Sequence, residues 1–176
     1  MLSVKLNTFL GVLNAIRCSG VMTDEVEDIK FTPGPTYATV SAALIKETLT
    51  KTQIIPDALD KAPGHNANIM WYDLPMGFGK TLAPLHVKYF PTWFQWPHDP
   101  NKLYTFVMTD LHRYIVTVFE QPEKFPINFT ATNYLQSEGA IQNRTKFSTR
   151  KFATSYKLGD PIAVDFAFVN VSGPTE

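Results

Sequence analysis

Two runs of β-forming residues, Leu103–Thr109 and Tyr114–Phe119, stand four residues apart, and they restrict the fold more than any other feature of the chain. The first, Leu-Tyr-Thr-Phe-Val-Met-Thr, is apolar on both parities, as in a strand covered on both faces. The second is equally rich in β-branched and aromatic side chains. A connection of about four residues is a permissible hairpin length, so the two runs predict neighbouring strands. A third run adds to them. Ile162, Val164, Phe166 and Phe168 alternate with Ala163, Asp165, Ala167 and Val169. That period of two gives a strand with one bulky face and one lighter face.

The rest of the chain is read around this sheet. Thr36–Lys51 predicts a helix with Thr36 as its cap and Val40, Ala43 and Leu44 at helical spacing, although Glu47 falls where the next apolar residue of that stripe belongs. Pro56 biases Ile55 towards extended backbone and ends the helical region. Ile69–Tyr72 predicts a short strand, Leu74–Thr81 a turn rich in glycine, and Leu82–Val87 an edge strand because Pro84 cannot donate to a ladder. Pro91–Asp99, with Trp93, Phe94 and Trp96, reads as a packed loop. Phe147–Tyr156 reads as a short helix closed by Gly159 and Pro161.

Composition excludes several classes. Lysine plus arginine and aspartate plus glutamate number 16 each, so the excess positive charge that a broad nucleic-acid surface needs is missing. No apolar run reaches the length of a membrane-spanning helix. The single cysteine, Cys18, rules out an internal disulfide and a cysteine zinc cluster, and nothing demands an oxidising compartment. A cytoplasmic protein without a cofactor is the expectation. Residues 1–35 are read as an N-terminal extension and 36–176 as one domain.

Local chemistry points to one place. Gly77-Phe-Gly-Lys-Thr81 resembles the end of a phosphate-binding loop, but Leu74 stands where such a loop needs its first glycine, which favours an ordinary turn. His65, His86, His98 and His112 show no metal-ligand spacing, and no nucleophile–base signature occurs. Asp110, His112, Arg113 and Tyr114, in contrast, gather a carboxylate, an imidazole, a guanidinium and a phenol between the two strongest strands. Loops at strand ends are where rigid scaffolds display binding groups. Arg113 and a protonated His112 suit a phosphate or carboxylate, with Asp110 orienting the histidine. The same residues also suit a solvated hairpin turn.

Several segments, taken in order, resemble phosphatidylethanolamine-binding proteins. They are Ile54–Asp60, Pro91-Thr92 with Trp96, Leu103–Asp110, and Leu111–Gln121 with its Leu-His-Arg-Tyr start. The tail continues the match with Arg144, Phe147, Arg150–Ala153, Tyr156 and Leu158–Ala163. The resemblance implies a mainly β fold, a β-sandwich of the phosphatidylethanolamine-binding type with peripheral helices. It also implies a small pocket at the strand ends for phosphate-type head groups, to which Asp110, His112 and Tyr114 correspond. Members are generally not enzymes; they bind phospholipid head groups, regulate kinase pathways or inhibit proteases. The chain departs from the pattern at Asp110-Leu111, where a central segment bearing a strand and a pocket histidine is lacking. If that strand once separated its neighbours, the sheet must close by about 5 Å, one strand spacing. The implied function is weak binding of phosphate-type head groups or small anions. The alternative is a ligand-free regulator or inhibitor with a kinase or protease partner.

Overall fold

The structure is a computed structural model. It describes residues 39–87, 91–99, 101–109, 113–122 and 147–169, together with the backbone of 12–17. In chain order the described elements are β1 (Val12–Arg17), α1 (Ala42–Lys51), α2 (Ile54–Asp57), β2 (His65–Asn66), β3 (Asn68–Trp71), β4 (Leu74–Pro75), β5 (Lys80–Leu82), β6 (Trp93–Gln95), β7 (Leu103–Thr109), β8 (Arg113–Glu120), α3 (Thr149–Ser155) and β9 (Ala163–Val169).

The described residues are mainly strand, in one mixed and one antiparallel sheet, and neither sheet closes into a barrel. The larger sheet runs β1-β7-β8-β9 with every pair antiparallel. Beyond β9, β2 pairs in parallel with its start and β5 with its end. Two short strands thus cover an edge that would otherwise offer unpaired backbone to another chain. β7 pairs directly with β8, from Tyr104 opposite Glu120 to Thr109 opposite Ile115. β8 continues into β9, from Arg113 opposite Phe168 to Val118 opposite Ala163. The sheet is therefore closed across the Asp110-Leu111 junction. The smaller sheet has the order β4-β3-β6.

Strand alternation sorts the core into two layers. On one face of the large sheet, Tyr104, Phe106, Met108, Val116, Val118, Ala163 and Ala167 meet Ile69, Trp71 and Phe94 of the small sheet. Trp96 packs edge-on against Tyr104 and Phe106 at ring-centroid distances of 5.3 and 4.8 Å. On the other face, Ile115, Val164 and Phe166 lie under Ile45 and Leu49 of α1 and Ile54 of α2. Val107 and Phe119 lie under Phe152 and Ala153 of α3. The bulky face of β9 thus meets helices, while its small residues leave room for the second sheet. Each large side chain sealed in this way contributes roughly 1.5–3 kcal/mol. No helix among the described residues is long and apolar enough to cross a membrane.

The three main strands and α3 fall where the sequence predicts them. Ile55 is extended (φ −104°, ψ 121°), as the following proline requires. Other expectations are corrected. α1 begins at Ala42, with Ser41 as its cap: the Ser41 hydroxyl accepts from Leu44 N at 3.3 Å. Thr36 lies outside the described residues. The buried stripe of α1 is Ile45 and Leu49, an i, i+4 pair, and Leu44 is half exposed. That phase puts Glu47 on the solvent side, where it pairs with Lys51 at 2.6 Å. The strand expected over 82–87 instead ends at Leu82, ahead of Pro84. Within the stretch read as a loop, Trp93–Gln95 forms β6, because β3 offers it a partner. Residues 12–17, within the stretch read as an extension, run along β7 as an outer strand.

Candidate functional site

Arg113 and Tyr114 open β8. Successive strand residues point to opposite faces, and the packing follows this rule. Tyr114 packs against the core between the sheets. Arg113 shares the helix-covered face with Ile115 and reaches the corner between α1 and α2. Its Nη1 donates to the Thr52 carbonyl at 2.7 Å, and its Nη2 donates to Asp57 Oδ2 at 3.0 Å. Thr52 caps the C-terminus of α1, where helix carbonyls carry partial negative charge. The guanidinium is therefore held between a helix end and a carboxylate, with 22% of the side chain exposed. Such a cation can attract an arriving anion, but Asp57 competes for it. Asp110 and His112 lie outside the described residues. Arg113 and Tyr114 are thus adjacent along the strand and face opposite layers.

The glycine turn that resembles a phosphate loop spends its amides inside the protein. Phe78 N donates to Asp165 Oδ1 at 2.9 Å, and Gly79 N donates to the Phe166 carbonyl at 2.6 Å. Gly77 and Gly79 both have positive φ, as such a turn requires.

Asp165 is the polar residue that motif reading missed. It sits on the small-residue face of β9 and is 2% exposed. Its Oδ1 also accepts from Phe166 N at 2.8 Å, and its Oδ2 accepts from Ile69 N at 3.2 Å. Burial pushes its carboxyl up to about 7, against the opposing pull of the Phe78, Ile69 and Phe166 amides and the Lys80 charge. One carboxylate therefore ties β9 to β3 and to the turn before β5. The signal was an acid in an otherwise apolar strand, since aspartate is rarely sealed unless it is paired. Its contacts are all backbone amides of the same chain, so its role is to hold the sheets in register.

Of the histidines, His65, His86 and His98 are exposed. His98 Nδ1 lies 3.1 Å from the Trp96 carbonyl. Among the described residues no cluster of three histidine, cysteine or acidic side chains is arranged to hold a metal ion. No protein-family model matches the chain.

Proposed function

We propose that the chain is a non-catalytic binding protein of the phosphatidylethanolamine-binding type, taking phosphate-type head groups or small anions weakly at the strand end formed by Asp110, His112 and Arg113, while Tyr114 of the expected set turns to the core between the sheets. The observation that carries this reading is the direct pairing of β7 with β8, which makes residues 110–112 the connection between two buried strands. Both strands that this connection joins are held in one ladder, and Arg113, the first described residue after it, is a partly exposed cation. Weakness follows from the partners of Arg113. An anion must displace Asp57 or share its donors, and a charge-assisted hydrogen bond is worth about 1.5–3 kcal/mol. Giving one up weakens binding by about ten- to a hundredfold.

Calorimetric titration with phosphorylethanolamine tests the reading. The wild type should bind, His112→Ala should lose the heat, and Asp57→Asn should bind about threefold tighter once its competing charge is gone. Equal, null titrations for all three proteins would remove the ligand-binding claim.

The engagement of Arg113 with Thr52 and Asp57 favours one second reading, a ligand-free regulator or inhibitor acting on a kinase or protease. That reading requires null titrations together with dose-dependent inhibition of a purified kinase or protease.

A further inference from the structure

A cleft of about 440 Å³ opens on the helix-covered face of the large sheet, between the turn after α2, helix α3 and the turn before β9. Its volume lies within the range of small-molecule sites. It is separate from the strand-end rim. Phe119, which lines it, stands six positions along β8 from Arg113, about 20 Å at strand spacing.

The walls are joined by two ion pairs of opposite polarity. Asp60 Oδ1 meets Arg150 Nε at 2.8 Å, bridging the first turn to α3. Lys61 Nζ meets Asp160 Oδ2 at 2.9 Å, bridging the same turn to the one before β9. Adjacent residues of opposite sign thus link both walls. The apolar lining comes from Ala58 and Pro161, which are partly exposed, over the buried Leu59, Phe119 and Ala153.

The charges of this cleft do not balance. Among the described lining residues, Lys61, Arg150 and Lys157 face Asp60 and Asp160, and three cations minus two carboxylates leave one positive charge. Lys157 is exposed, sits in left-handed backbone (φ 54°) just beyond α3, and makes no ion pair with a described residue. Arg150 keeps the rest of its guanidinium available. Its buried Nε lies close to Asp60 but off the hydrogen-bonding direction, so the contact is Coulombic and the N–H has no acceptor among the described residues. The accessible 39% of the side chain therefore lies elsewhere than at Nε.

We propose that this cleft is a second binding site, for a small amphipathic monoanion with one carboxylate or phosphate-type group on an apolar body. The oxyanion sits between Lys157 and Arg150, and the apolar body lies against Ala58 and Pro161, over the buried Leu59, Phe119 and Ala153. The braced ion pairs stay intact on binding, so the ligand adds the missing charge without displacing one.

Amide chemical-shift titration of the full chain tests this with four probes of similar alkyl length: hexanoate, the monoanionic diester hexyl methyl phosphate, hexanol and hexylammonium. The two anions should shift the amides of 59–61, 149–150 and 157–160 saturably while leaving Arg113 and Tyr114 unmoved. Preference between carboxylate and phosphate identifies the head group. Lys157→Gln should weaken both anions about fivefold, the effect of one exposed charge contact, and Lys157→Arg should restore them. Hexanol or hexylammonium binding as tightly as hexanoate would overturn the proposal. So would an unchanged affinity in Lys157→Gln, or shifts confined to Arg113 and Tyr114.

Discussion

A carboxylate sealed between two sheets needs donors or a proton, and Asp165 has donors that only partly offset its burial. Three backbone amides converge on it from β3, from the turn before β5 and from its own strand. Burial nevertheless dominates and raises its folded pKa to about 7, well above the ordinary value of 3.8. The folded state therefore holds a proton that the unfolded state releases. The stability tied to that proton is complete below the ordinary carboxylate range and is lost as pH rises through about 7. Stability should therefore fall between about pH 4 and pH 7 and level off above, by at most about 1.4 kcal/mol per pH unit from this group. Urea unfolding across that range should show the slope in the wild type and a flatter profile in Asp165→Asn. The asparagine should also cost about 1–3 kcal/mol near neutral pH, because its amide group confronts a backbone donor. A parallel pH slope in the variant would remove this account. Arg113 is expected to differ from its partner. Arg113→Ala loses both the Thr52 carbonyl and Asp57 and should cost about 1–2 kcal/mol, whereas Asp57→Asn, a half-exposed surface partner, should cost under about 1 kcal/mol. Equal costs in chemical denaturation would contradict that ranking.

At the scale of elements, β7, β8, β9 and α3 were legible because their own residues decide them. β7 and β8 are dense in β-formers, β9 alternates, and α3 is bounded by its Ser148 cap and by Lys157 and Gly159 in left-handed backbone. The misread elements depend on neighbours. β2, β5 and β6 are two or three residues long and exist because β9 or β3 offers a ladder to each. Nothing within Trp93–Gln95 distinguishes a strand from a packed loop. The phase of α1 was hidden for the same reason: Ala43, Leu44, Ile45 and Leu49 permit two stripes, and packing on Ile115, Val164 and Phe166 selects Ile45 and Leu49. The turn entering β5 gives an element-scale prediction. Gly79 has φ +102°, and a Cβ there would stand 3.0 Å from the Phe166 ring. Gly79→Ala should cost about 1–3 kcal/mol through strain, lowering the urea midpoint without changing the slope. An unchanged midpoint would mean that this turn does not hold β5 against β9.

For the whole molecule, the helices, the large sheet and the small sheet form three layers, and the large sheet belongs to both cores. The lighter face of β9 admits the small sheet and its bulkier face receives α1, so one strand's alternation organises both sides. The candidate rim was legible as a cluster of polar residues between strong strands. The partners of Arg113 were not, because Thr52 and Asp57 lie 61 and 56 residues away in sequence. The charged cleft was also invisible in sequence, since its walls come from three separated segments. Both binding proposals assume that β7, β8 and β9 form one uninterrupted ladder across the Asp110-Leu111 junction. Amide hydrogen exchange on the full chain tests that assumption most directly. The account predicts that the central amides of these three strands form a single slowest class, opening together with global unfolding. If the β7 amides exchanged fast and separately from those of β8 and β9, the closed sheet, and the strand-end rim it supports, would be contradicted.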